Sequence, residues 1–295
     1  MLHPRTPWNS LPIWRRTAVA SLVLSASTAA FLLADTRADV VIRGIAVVDV
    51  RRGMVMPGRD IVVRGTHLAS VAPSGQALPH AKTTIDGWGK FASPGLIDAE
   101  VTLARVSKGT AAALLADGIT AVRDVGTNPD RIAEWRRELA HGKMYSPRIA
   151  RACPVATTAT AGESGCGPSA FHPAAALAAL LGARAQRLSG SAGASRLALH
   201  DELELLVRAG FTSVAALRSV TIEAAQMLMT AELGEVAAGM AADLVVTTAN
   251  PLADIRNLRA IDAVVFRGEA LTPAHLNLLR SRPASADGVR FERNW

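Results

Sequence analysis

The stretch Leu115-Ala116-Asp117-Gly118-Ile119-Thr120-Ala121-Val122-Arg123-Asp124-Val125 changes its period in the middle. Residues 110–117 are dominated by alanine and leucine, which predicts a helix. Gly118 supplies the stop, and residues 121–125, with Val122 and Val125, read as a strand. Working outward, residues 96–103 read as a preceding strand. A second helix at 130–140 is opened by Asn128-Pro129 and closed by Gly142, and residues 148–152 form a third strand after Pro147. Strand and helix in alternation imply right-handed crossovers and a parallel sheet.

Both ends of the chain carry a different pattern. Between residues 39 and 72, short β segments at 40–43, 46–50, 61–64 and 67–71 are separated by Gly44, Arg52-Gly53, Pro57-Gly58 and Gly65-Thr66. The β pattern returns at 243–247 and 261–266, with Arg267-Gly268 as a turn. Residues 174–187, 199–209 and 213–229 read as three further helices. Residues 154–173, rich in Ala, Thr, Gly and Ser, have no period and read as a loop, and the polar stretch 281–295 reads as a flexible tail.

With 295 residues, 49% of them hydrophobic and 19% charged, the chain can bury a sizeable core and is not a disordered polymer. Its net charge of +7 is spread over single and paired basic residues such as Arg51-Arg52 and Arg136-Arg137. Without a basic stripe interleaved with aromatics, which make up 4% of the chain, nucleic-acid binding is not expected. Arg15-Arg16 precede an uncharged run from residue 17 to 34, the charged and apolar regions of an export signal. Removing residues 1–34 takes away Arg5, Arg15 and Arg16 and lowers the charge from +7 to +4. Cleavage after Ala34 and retention as a membrane tether are both compatible with the run, whose length is near the lower limit for a span. Either outcome places the folded part outside the cytoplasm, in the periplasm or an equivalent compartment. Cys153 and Cys166, the only cysteines, could pair there.

Three segments, in order, resemble the amidohydrolase superfamily, in particular its imidazolonepropionase- and prolidase-like branch. They are Gly87-Trp88-Gly89-Lys90-Phe91-Ala92-Ser93-Pro94-Gly95-Leu96-Ile97-Asp98-Ala99, the segment from Leu115 to Gly126, and Leu233-Gly234-Glu235-Val236 continued by Gly239-Met240-Ala241-Ala242-Asp243-Leu244-Val245-Val246 and Asn250-Pro251-Leu252-Ala253-Asp254-Ile255. The resemblance implies a (β/α)8 barrel attached to a small β-sandwich built from both chain ends, and hydrolysis of non-peptide C–N or dipeptide-type bonds at a zinc or similar divalent ion. The implied divisions are residues 1–34 as signal peptide or anchor, 39–92 with 232–272 as the composite sandwich, and 93–231 as the barrel.

The implied metal site is not matched by the residues present. Where the family's first barrel strand ends in H-x-H, this chain has Glu100 and Thr102. Where an aspartate of the eighth strand completes the site, the nearest match is Ser191 in Ser189-Gly190-Ser191-Ala192-Gly193. A threonine and a serine are poor neutral donors, and one carboxylate does not replace a chelating imidazole pair. The ligands of the fourth to sixth strands have no counterpart, and about a third of the family's usual length is missing, with the join at residues 162–173. The seven histidines (His3, His67, His80, His141, His172, His200, His275) show no chelating spacing. Each is expected on the surface or in a loop, with His172 and His200 nearest the barrel mouth.

The expected fold is therefore α/β: a partial barrel of about four parallel strands in the order eighth, first, second, third, with helices on one face and the small sandwich attached. The expected function is that of an amidohydrolase-like protein made inactive by loss of the metal site, without catalytic residues or a bound cofactor; the alternatives are an active hydrolase with an altered metal site, or an exported or membrane-tethered binding or interaction protein. The face that lines the barrel in complete relatives would be uncovered, which predicts a homodimer of two half-barrels.

Overall fold

The computed structural model describes residues 37–101, 103, 106–125, 127–153 and 198–281, and of residues 100, 125, 150–153 and 198 the backbone alone. The expected signal or anchor (1–34), the loop at 154–173, the helix at 174–187 and all but the first residue of the tail lie outside the described residues. So does the expected eighth barrel strand. Among the described residues, no helix is long and apolar enough to cross a membrane.

The β segments of the two chain ends join in one sheet. Strands β1 (Ala38–Asp49), β2 (Met54–Arg64), β3 (His67–Pro73), β4 (Ala81–Asp86) and β5 (Phe91–Pro94) meet the C-terminal strands β9 (Leu244–Thr247), β10 (Ile261–Phe266) and β11 (Glu269–Leu271). The order is β11-β10-β9-β5-β1-β2-β3, with β4 paired to β1 off this path. The two segments expected at 40–43 and 46–50 are one strand, bent at Gly44 (φ +66°). The Gly44 N–H donates to the buried Asp60 carboxylate at 2.8 Å, and the Trp88 indole lies over the glycine where a Cβ would come within 2.3 Å of it. The bend lets the first half of β1 pair with β4 and the second half with β5. Ile42, Ile45, Ile61, Leu68, Leu244, Val246 and Val265 fill the core beneath, each fully buried large side chain contributing roughly 1.5–3 kcal/mol.

The chain leaves this sheet at Gly95 and enters a second one. A Cβ on Gly95 would come within 2.0 Å of the Thr120 hydroxyl oxygen, so the two strands can approach only over a glycine. Strands β6 (Leu96–Val101), β7 (Ile119–Val125) and β8 (Arg148–Cys153) form a parallel sheet in the order β6-β7-β8, three of the four strands expected. Helices α1 (Lys108–Ala116) and α2 (Pro129–Ala140) are its crossovers. The Ser107 hydroxyl caps α1 by accepting from the Thr110 N–H, and the Asn128 side chain caps α2 with Pro129 in the first turn.

Two expectations about helices and faces are corrected. The single helix expected at 213–229 is two, α4 (Ser213–Ser219) and α5 (Ile222–Met227), broken where the Thr221 hydroxyl donates back to the Leu217 carbonyl at 2.7 Å. The half-barrel face expected to be bare is covered at its base. Ile97 of β6 and its ladder partner Ala121 of β7 are buried against Ala224, Ala225 and Leu228 of the α5 region. The opposite face, with Leu96 and Val122, packs on α1, α2 and α3 (Ala198–Arg208). Helix α6 (Pro273–Arg280) then closes over α1 through Leu276 and Leu279.

Candidate functional site

In a parallel barrel the loops at the C-terminal strand ends carry the chemistry, and in this fold that end points away from the eight-stranded sheet. The N-terminal strand ends are tied to the sheet, through Gly95 N–H to the Asp243 carbonyl at 2.8 Å and Arg148 to the Asp243 carboxylate. At the C-terminal ends, β6 brings Glu100 with its backbone alone described, while Thr102 and Ser191 lie outside the described residues. Cys153 ends β8, and its side chain and Cys166 also lie outside them.

Asp124, near the end of β7, is the carboxylate best placed to serve chemistry, and it is fully engaged. It is wholly buried and accepts from the Leu103 N–H at 2.8 Å, the Thr127 hydroxyl at 2.6 Å and the Thr127 N–H at 3.1 Å. Three donors on one carboxylate fix the turn after β7 to the turn after β6 and leave little capacity for a metal. Arg123, beside it, is 7% exposed, and its Nε donates to the Ala99 carbonyl at 2.6 Å. Beyond their place in a strand, neither residue carries a mark in the sequence.

His200 is not near the mouth and is not on the surface. It is 3% exposed on the first turn of α3, and its Nε2 lies 2.8 Å from the carbonyl oxygen of Asp117, the residue that ends α1 just before β7 begins. That is the opposite, N-terminal face, where barrel residues maintain stability. Burial, the largest cause, holds the imidazole below its ordinary pKa, and Arg259 acts in the same direction. Asp201 and Glu204, also on α3, both pair with Arg259, which explains acids here without a ligand role. His67, His80 and His141 are exposed as expected, His275 caps α6, and His172 lies outside the described residues.

These donors do not fit a divalent-metal centre of the family's kind. Imidazole pairs hold such an ion, whereas β6 offers a single carboxylate position and β7 a carboxylate that already accepts three hydrogen bonds. Among the described residues, no three His, Cys, Asp or Glu side chains converge.

A family model described as the amidohydrolase family matches residues 174–271. In fold, the chain is similar to a Xaa-Pro dipeptidase solved with bound methionine in the active site (TM-score 0.62, 16% identity, 79% of this chain and 99% of that one). It is likewise similar to molinate hydrolase (TM-score 0.65, 14% identity, 85% and 99%). A third is an adenosine deaminase from Xanthomonas campestris with bound zinc (TM-score 0.55, 15% identity, 81% and 94%). The family match covers a third of the chain, and the solved structures share its fold. Among curated proteins, the chain is 38% identical over 65 residues to an adenine deaminase of Rubrobacter xylanophilus, covering 22% of this chain. The match spans 11% of that relative's length.

Proposed function

We propose that this amidohydrolase-family protein binds a small ligand at its half-barrel mouth and does not hydrolyse it. The observation that carries this is the donor set: Glu100 stands where the first imidazole would be, and the Asp124 carboxylate is occupied by Leu103 and Thr127. Without a chelated ion, no water is activated near neutral pH, because the bound metal is what brings its pKa into range. The test is metal analysis of the purified full-length protein together with assays on Xaa-Pro dipeptides and adenine, with and without added zinc. The expected result is no stoichiometric zinc and no turnover above the blank. Stoichiometric zinc with metal-dependent turnover overturns the proposal.

A second reading, hydrolysis at an altered site, is favoured by one feature, the oxygen donor Glu100 at the end of β6. Its signature is zinc-dependent turnover that Glu100→Gln abolishes.

Two further parts of the proposal concern placement. Residues 1–34 direct export to the periplasm or tether the protein to the membrane, and N-terminal sequencing of the mature protein separates the two. Strand β8 pairs on one side only among the described residues, and an unpaired edge invites a second copy. A solution mass of two chains is expected, and a monomer at all concentrations counts against self-association.

A further inference from the structure

The face of the eight-stranded sheet opposite its main core carries a cleft built apart from the half-barrel. Along β2, Ile61 and Val63 point into the main core, so Asp60, Val62 and Arg64 point the other way. On β3, Ala72 stands opposite Asp60 and Ser70 opposite Val62. After β3 the chain folds back over this face, where Leu78 packs on the small cluster of Ala38, Val41 and Val62. Between the strands and this loop lies a space of about 400 Å³. Small-molecule sites ordinarily measure roughly 300–1,000 Å³. Residues 60–79, which build the cleft, are all described.

Asp60 lines this cleft with a carboxylate whose two oxygens have different surroundings. The residue is 6% exposed, and its Oδ1 accepts from the Gly44 N–H and from the Ser74 hydroxyl, each at 2.8 Å. Ser74 is itself tied down, its N–H donating to the Gly58 carbonyl at 2.8 Å. Oδ1 therefore serves the bend of β1 and the start of the loop. Among the described residues, Oδ2 makes no hydrogen bond and Asp60 no ion pair. The unpartnered side-chain atoms sealed from solvent among those residues are Arg59 Nε and Ser93 Oγ; Oδ2 is not one of them, so it opens into the cleft that Asp60 lines. A carboxylate held this deep favours a cation from outside, since burying a charge without a partner is costly.

We infer that the cleft over β2 and β3 binds a small organic ammonium, its charge on Asp60 Oδ2 and its apolar body against Val62, Ala72 and Leu78. One available oxygen decides the class. A guanidinium pairs best with two carboxylate oxygens, and Oδ1 is taken. A hard divalent ion takes about six or more oxygen donors, which one carboxylate with the Ser70 hydroxyl and the Gln76 amide does not supply. An ammonium is a compact point charge that a single oxygen can hold. Arg64, on the same strand face, lies roughly 13 Å from Asp60 at ordinary strand rise, which leaves the apolar body its place between them. The site does not depend on what the half-barrel mouth binds.

Calorimetric titration of the full-length protein with benzylammonium chloride, and separately with benzyl alcohol and with potassium chloride, all at equal ionic strength, tests the proposal. Benzylammonium is expected to bind saturably and roughly tenfold or more tightly than the alcohol, which lacks the charge, or potassium, which lacks the apolar body. Asp60→Asn keeps an oxygen for Gly44 and Ser74 and loses the charge, and is expected to weaken benzylammonium by roughly tenfold or more. Ala72→Phe, which fills the floor and leaves the carboxylate, is expected to weaken it as well. Ser74→Ala removes one bond to Oδ1 and no charge, and should bind as the wild type does. No saturable benzylammonium binding overturns the proposal, as does equal binding of the alcohol or of potassium, or wild-type affinity in Asp60→Asn or Ala72→Phe. Should Asp60→Asn fail to fold, Ala72→Phe and the alcohol decide.

Discussion

Arg148, the first residue of β8, holds Asp243, the residue before β9, through two hydrogen bonds, Nε to Oδ2 at 2.6 Å and an Nη to Oδ1 at 3.0 Å. The aspartate side chain is 2% exposed and also accepts the Arg267 N–H at 2.8 Å, while its carbonyl takes the Gly95 N–H. One residue therefore joins the half-barrel to the eight-stranded sheet at two places. Asp243→Asn keeps the size and loses the charge, leaving Arg148 without its anion. A loss of about 2–3 kcal/mol is expected, read as a lower urea midpoint at an unchanged slope. A midpoint equal to wild type would show that the two sheets are held together by apolar packing alone.

His200 makes stability depend on pH. Its folded-state pKa lies below the ordinary imidazole value, chiefly through burial, so the unfolded chain binds the proton more readily than the folded one. The neutral side chain contributes its full stability above the unfolded pKa, and that contribution declines as pH falls below about 6.5. Chemical denaturation at pH 7.5 and 5.5 should show a larger loss on acidification in the wild type than in His200→Gln. Equal losses would remove His200 from the account.

Met229 follows α5 with φ +53°, a left-handed conformation, and Thr230 donates to the Ala225 carbonyl at 3.0 Å to close the helix end. Glycine is the usual residue at such a position. The methionine is 73% exposed, so little packing is lost with it. Met229→Gly is expected to raise stability by about 0.5–1 kcal/mol, the relief of left-handed strain exceeding the added freedom of the unfolded chain. A thermal midpoint that falls instead would mean that the side chain packs on something essential.

Much of the architecture was legible locally. The glycine stop at Gly118 marks the end of α1, and with φ +83° and Val245 packed where a Cβ would sit, no other residue fits there easily. Asn128-Pro129 opens α2 as read, and β10 spans the expected residues. Strand β4 was not legible, because Lys82, Thr83 and Thr84 give it little apolar character and it forms by pairing with β1. The break at Thr221 lacks glycine or proline and comes from a side-chain hydrogen bond. Helix α6 did carry a start signal, Thr272-Pro273, but its capping box uses His275 in place of the usual acid or amide.

For the candidate site, the sequence by itself determined which donors exist: Glu100, Thr102 and Ser191 supply one carboxylate and two hydroxyls, and no folding changes their chemistry. It also determined the alternation of helix and strand, since near-neighbour sterics and hydrophobic period act over a few residues. Only the tertiary structure decided that His200 sits at the base against Asp117, 83 positions away, that Asp124 accepts from Leu103 and Thr127, that Arg148 meets Asp243 across 95 positions, and that Arg123 reaches the Ala99 carbonyl. Such relations depend on the register between strands and on which faces are closed together, and side chains far apart in the chain acquire their electrostatic surroundings only when those choices are made.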